Sequence, residues 1–473
     1  MTIKKYFAIA DNTISNAFDR SLTTNNRATG SNMGAADILE VFQLYGQATT
    51  SSVERSRVLI QFDTTKLSSD RAAGNIPASG SVAFFLNLYN VEHTTTLPEN
   101  FDLTISAVSQ SWEEGTGLDM INYTDKTFEG SGSNWIKARH SSSGDDGKWT
   151  SQGGDYHADP VITKNFPEGF EDLSVDVSDI VEQWLAGTTQ NYGFGVKLSD
   201  QFEIISGSYY TKKFFARGTE FFFYRPTLEA RWDNSIKDDR GYFFASSPLA
   251  PADDNQNNLY LYNRIRGRLR NIPDVGTGEI RVDLYDSIGS TTSLAGFTGS
   301  HVSTGVYKCA ASINTTASTL FDVWHSGSTQ YHTGSFSLSS HTANDIDENT
   351  KYVVSISNLN SSYCKPDVAR FKLYVRPKRW SPSIYTVAQA TPENIIVPSA
   401  SYEIYRLADE LVVIPHDTGS NLSTMMSYNV SGNYFDLDMS LLEPGYDYGI
   451  RVSFYNDYQS NWNQQPYNFR FKV

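Results

Sequence analysis

The chain has almost no cysteine: Cys309 and Cys364 are the only two among 473 residues. That excludes a small disulfide-stapled secreted module, and both thiols are expected to be buried and free. Histidine is sparse as well. The eight that occur are scattered, with no HExxH pair and no Cys/His spacing of a zinc site. A nucleophile elbow, a P-loop and a dinucleotide fingerprint are all missing, so no enzyme class is indicated and no cofactor is expected. No stretch approaches the roughly 18 apolar residues of a membrane helix, and no membrane partner is expected. The opening residues, MTIKKYFAIADNTIS, hold an apolar run of only four. A signal-peptide core needs roughly 7–15, so synthesis without a cleaved leader is expected. Basic residues are outnumbered 38 to 53, for a net charge of −15. General nucleic-acid binding, which needs a basic footprint, is not expected either. Helix-period stretches are nearly absent.

What remains is the composition of strands and turns. Aromatics reach 13%, alongside abundant Thr, Ser, Asn and Gly. The length exceeds what one core supports, so we expect three domains, 1–233, 234–378 and 379–473. The stretch Leu173 to Asp200 organises the first of them. Leu173, Val175 and Val177 alternate with Ser174, Asp176 and Ser178, the pattern of a half-buried strand. Ser178 or Asp179 is placed to cap a short helix whose Ile180, Val181, Trp184 and Leu185 share one face, and Gly187 ends it. A lone helix in such a chain reads as a plug across one end of a β-sandwich. Further on, Leu259 to Arg270 alternates strictly, which places Arg264, Arg266, Arg268 and Arg270 on one face of a single expected strand. Arg376 to Pro382 reads as a stiff, proline-bounded joint between the second and third domains.

Five pieces in order carry a family resemblance: Asn32-Met33-Gly34 before a strand, Arg57-Val58-Leu59-Ile60-Gln61-Phe62-Asp63, Ser111-Trp112-Glu113-Glu114-Gly115 with Asn134-Trp135, the Leu173–Asp200 stretch, and Arg225-Pro226-Thr227-Leu228-Glu229. Together they resemble the DNRLRE-type jelly roll, a sandwich related to carbohydrate-binding modules. The expected fold class is therefore all-β: a jelly-roll β-sandwich followed by two smaller, Ig-like β-sandwich domains. Residues 371–473, with LYVRPKRWSPSIYTVA, VSGNYFDLDMSLLEPGY and PYNFRFKV, resemble the ends of structural proteins from tailed phages of marine bacteria. That resemblance implies a virion component assembled in the host cytoplasm, at the neck, tail, baseplate or capsid surface. Its partners would be other virion proteins and further copies of itself. The jelly-roll resemblance implies the alternative, a module that binds host-surface polysaccharide.

Four sets of candidate residues follow. Trp135, Trp149 and Tyr156 lie in a long polar loop and could stack on a sugar ring, or pack the loop on its own domain. Asp145, Asp146, Asp155 and Asp159 could offer oxygens to calcium, or form a solvated acidic loop. Glu113 and Glu114 are adjacent carboxylates, whereas a glycosidase pair faces across a sugar, so no catalytic role is assigned. The four arginines repel one another and are expected to dock on a carboxylate-rich neighbouring subunit, or else to solubilise an edge.

Overall fold

The computed structural model describes residues 2–18, 27–46, 52–93, 98–118, 132–140, 147–340, 350–380, 384 and 394–473. The chain divides into two compact units, Thr2–Asp233 and Asn234–Val473. Both are nearly all β.

The Thr2–Asp233 unit is a two-sheet antiparallel sandwich. Its strands are β1 (Ile3–Phe7), β2 (Ala10–Ser15), β3 (Ile38–Tyr45), β4 (Val53–Gln61), β5 (Ala83–Leu88), β6 (Phe101–Val108), β7 (Tyr156–Phe166), β8 (Leu173–Asp176), β9 (Phe194–Leu198), β10 (Tyr209–Phe215) and β11 (Thr227–Arg231). One sheet runs β1-β11-β5-β8. The other runs β10-β3-β4-β9-β6-β7, with β2 also paired to β4. This non-sequential order, with every described pairing antiparallel, is that of a jelly roll. The strand period places Leu39, Val41, Val58, Ile60, Leu103, Ile105, Val196 and Phe214 of the larger sheet against Phe84, Leu86, Val175 and Leu228 of the smaller, in one buried core.

The described residues of the unit also form three α-helices: α1 (Thr64–Ala72), α2 (Ser178–Leu185) and the single turn α3 (Asp200–Glu203). The expected α2 forms, burying Ile180, Val181 and Trp184. Its expected cap does not. Val177 occupies that position, and the Ser178 hydroxyl instead accepts the Phe84 amide at 2.8 Å. The C-terminus closes as a Schellman turn, with Gly187 N–H bonded to Trp184 O and Thr188 N–H to Gln183 O. Gly187, at φ +73°, supplies the left-handed residue this requires. The helix is not alone. α1 abuts it through a two-pronged Arg71–Glu182 pair at 2.7 and 2.6 Å. Only Leu67 of α1 is buried, so its sequence carries no apolar stripe for a reader to find. A 3₁₀ turn at Phe222–Tyr224 precedes β11.

The Asn234–Val473 unit holds two β assemblies. The first is a seven-stranded sheet ordered Phe243–Phe244, Thr329–Ser339, Thr319–Ser326, Ile280–Tyr285, Ala295–Ser303, Val306–Ala311 and Asn257–Tyr262. Its two ends meet at Asn257, whose side-chain amide accepts Phe244 N–H at 3.0 Å and donates to Phe244 O at 2.9 Å, mimicking a ladder pair. Trp324 and Tyr307 fill the interior, and Cys309 is buried there as a free thiol. Cys364 is free but exposed, contrary to the expectation that both would be buried.

The second assembly packs two sheets face to face. One is Tyr352–Ile356, Val368–Pro377, Gly432–Asp438 and Ser427–Asn429; the other is Val412–Ile414, Ala400–Arg406, Asp447–Asn456, Asn461–Gln464 and Phe469–Lys472. Tyr402 stacks on Phe435 at 4.1 Å between them. Here the expected boundary between 234–378 and 379–473 is corrected. Val368–Pro377 is hydrogen-bonded to Gly432–Asp438, so a cut at 378 would split a sheet. Pro377 is the last residue of that strand, and Pro382 lies outside the described residues.

Residues 236–239 tie the two assemblies together. Asp238 N–H bonds Tyr428 O, and Tyr428 N–H bonds Ile236 O. The Asp239 carboxylate accepts from the Tyr428 hydroxyl at 2.6 Å and from the Asn258 amide at 2.6 Å. Burial pushes the neighbouring Asp238 carboxyl up to about 6.

Candidate interaction surface

Arg264, Arg266, Arg268 and Arg270 do not share one strand face. The strand ends at Tyr262, and a two-residue hairpin follows, pairing Arg264 with Leu269 and Ile265 with Arg268. Arg266 (φ +50°) and Gly267 (φ +79°) form its tip, the left-handed pair of a type I′ turn. Asn263 anchors the base: its carbonyl accepts Arg270 N–H at 3.0 Å and its side chain donates to Arg270 O at 2.7 Å. The four guanidinium groups therefore surround one projecting hairpin instead of lining a stripe. All four residues are exposed, and none makes an ion pair among the described residues. Every other arginine of the same unit with a resolved ion pair, such as Arg240 with Asp322 or Arg370 with Asp436, is matched within its own fold. Four unmatched, forked donors on a rigid turn can bind carboxylates in two-pronged fashion.

The aromatic candidates are placed differently. Trp135 and Trp149 are each only 5% exposed and pack with Ile14, Leu59, Val108 and Trp112 in a second core on the outer side of β4. Trp149 donates to Asn134 O at 2.8 Å, Trp112 to Tyr192 O at 2.7 Å, and Tyr156 to Gly153 O at 2.9 Å. No ring face of Trp135 or Trp149 is left for a sugar. The described parts of the loop, with Trp112, Trp135 and Trp149, pack on their own domain. The centre of this arrangement is Arg57, which the sequence reading assigned only to a family strand. It pairs with Glu203 at 2.8 and 2.7 Å, donates to Gly153 O at 2.9 Å and lies over the Trp135 ring at 5.2 Å. Its signal in the sequence is the second arginine of VERSRVLIQF, set directly against the apolar run Val58-Leu59-Ile60, where a charge needs a buried partner.

Asp145 and Asp146 lie outside the described residues. Asp155 is committed to a turn, accepting Thr150 and Ser151 amides at 2.7 and 2.8 Å. Asp159 is exposed in β7. The described residues contain no group of three or more metal-ligating side chains. Calcium binding by Asp155 and Asp159 is thus not supported. Glu113 and Glu114 both hold loops: Glu113 accepts His140 N–H at 3.0 Å, and Glu114 accepts Asp11 N–H at 2.8 Å while pairing with Arg217.

That last contact shapes the titration of Asp11. Glu114 occupies the Arg217 guanidinium, leaving Asp11 only the Arg217 backbone N–H at 2.6 Å. Burial pushes the Asp11 carboxyl up to about 7, and the nearby Glu114 charge adds to it. A raised carboxyl favours the folded state fully below its unfolded value near 3.8, and that advantage is lost as pH rises through about 7. Asp11→Asn is expected to leave stability at pH 4 nearly unchanged and to raise it at pH 8, by roughly 1–3 kcal/mol. Urea unfolding at the two pH values checks this. Equal effects at both would exclude the burial account.

Comparisons with known proteins identify no family. Neither a family model nor a curated protein matches the chain. Among solved structures, it is similar to the adhesin InvE of Yersinia pseudotuberculosis at 10% identity and a TM-score of 0.16, covering 46% of this chain and 54% of that one. A DUF4785 family protein of Legionella pneumophila gives 9% identity and a TM-score of 0.15, over 99% and 92% of the two chains. A tetra-tandem repeat from the extending region of a large adhesion protein gives 9% and 0.15, over 98% and 99%. Scores this low assign neither a fold family nor an activity.

Proposed function

We propose that this chain is a non-enzymatic structural component of a tailed-phage virion, acting through subunit–subunit binding. The observation that carries the reading is the hairpin Arg264–Arg270: four unmatched arginines on a protein of net charge −15. Such a chain repels its own copies at long range, so a dense basic turn gives contact a fixed place and orientation. The partner surface is carboxylate-rich, on a neighbouring virion protein or on another copy. If it lies elsewhere on another copy, the contact is head-to-tail and builds a ring or a fibre. The resemblance of residues 371–473 to structural proteins of tailed phages supports the virion setting, and β-sheet faces offer broad surfaces for neighbours to cover.

Arg266→Glu with Arg268→Glu tests this. Both side chains are exposed, so the thermal melt is expected to stay put while incorporation into particles falls by about tenfold or more. Incorporation at the wild-type level would remove the hairpin from the assembly.

A further inference from the structure

The last strands carry a second, chemically different surface. A groove of about 450 Å³, with an adjoining recess of about 140 Å³, lies between the start of Tyr352–Ile356 and the hairpin of Asp447–Asn456 with Asn461–Gln464. That volume is within the range of small-ligand sites. Phe454 supports it from the core, with Tyr352 edge-on at 5.3 Å, and the Tyr467 hydroxyl donates to Tyr352 O at 3.2 Å. The aromatic frame is thus fixed from within.

The walls are amides. Gln465 donates to Asn463 O at 3.0 Å, and Asn463 donates to Gln459 Oε1 at 3.2 Å. These bonds orient the side chains yet leave Asn463 Oδ1, Gln465 Oε1 and the whole Gln464 amide without a partner among the described residues. Lys351 and Lys378 stand beside them, joined by a backbone bond of 2.6 Å, and neither ammonium has an ion pair among the described residues. No described carboxylate lines the larger groove.

We infer that this groove binds a carboxylate-bearing oligosaccharide. Side-chain amides offer a donor and an acceptor side by side, which matches vicinal hydroxyls. Tyrosine rings offer faces to the C–H side of a pyranose. Two ammonium groups without an ion pair among the described residues select an acidic sugar over a neutral one. A face lined this way gives an apolar peptide little to bury, and without a facing carboxylate pair it holds a sugar without cleaving it. The inference is independent of the virion assignment, since an isolated chain would bind.

The test is calorimetric titration of the full chain with hexasaccharides of galacturonate, mannuronate and sialate beside maltohexaose. Saturable binding of at least one acidic hexasaccharide is expected, with maltohexaose weaker. Asn463→Ala with Gln464→Ala should weaken it at least about tenfold. Lys351→Gln with Lys378→Gln, exposed positions whose change leaves the fold intact, should bring the acidic ligand down to the maltohexaose level. No binding by any acidic hexasaccharide at millimolar concentration, equal affinity for maltohexaose, or affinity that survives both double substitutions would each overturn the inference.

Discussion

Glu229→Ala is expected to cost the Thr2–Asp233 unit roughly 3–5 kcal/mol, the scale for removing one side of a buried ion pair. Glu229 sits on β11 between two cations, Lys5 at 2.9 Å and Arg231 at 2.8 and 2.6 Å. Burial alone would raise this carboxyl, but Lys5 and Arg231 outweigh it and hold it down to about 2. Without the carboxylate, a Lys5 ammonium only 10% exposed would lose the counter-charge it meets at 2.9 Å while Arg231 stays nearby. The depressed value fixes the pH dependence. The contribution is present above the unfolded value near 4.5 and is lost as pH falls through about 2. Urea unfolding at pH 7, with hydrogen exchange to assign the loss to β1 and β11, checks the size. Replacing Lys5, Glu229 and Arg231 together by Met, Leu and Met is expected to restore most of the stability, because no charge then remains buried. A Glu229→Ala loss under about 1 kcal/mol would mean that water reaches the site.

Arg57→Leu is expected to have a comparable effect, roughly 3–5 kcal/mol, by stranding the buried Glu203. Its signature is different. Arg57 also holds Gly153 and covers the Trp135 ring, so exchange protection should fall first across residues 147–155 and tryptophan emission should shift to the red. Arg57→Lys keeps a charge but cannot make the two-pronged pair and the third bond together, so it should recover less than half of the loss. Full recovery by lysine would show that charge alone matters there.

These two sites illustrate what the sequence made visible. The apolar half of the fold was legible because strand alternation and the α2 stripe report burial directly: Leu173, Val175 and Trp184 occupy the interior they were read into. The polar half was not. Arg57 and Glu203 are 146 positions apart, and Asn12, Asn32 and Glu114 meet around Ser133 through side-chain bonds that leave no period in the chain. Arg264 to Arg270 misled for another reason. A two-residue hairpin preserves alternation through the turn, so a reversal looks like a continuing strand. Gly267 was the only local signal of it. The polar loop misled through its composition: Trp135 and Trp149 sit among Gly, Ser and Asp, yet the sheet beneath gave them an apolar floor of Leu59 and Val108.

The short run 236–239 has a consequence for how the chain is made. Asp239 can meet the Asn258 amide early, but its second partner, Tyr428, follows it by 189 residues, so nascent chain carries a half-satisfied carboxylate through most of the remaining translation. β1 similarly waits for β11, Ile3 meeting Arg231. The first unit is latched by the last of its described strands, and the Asp239 contact of the second by a strand made late in that unit. Truncated products of premature termination would thus expose an open sheet edge, the kind of edge that aggregates or attracts chaperones.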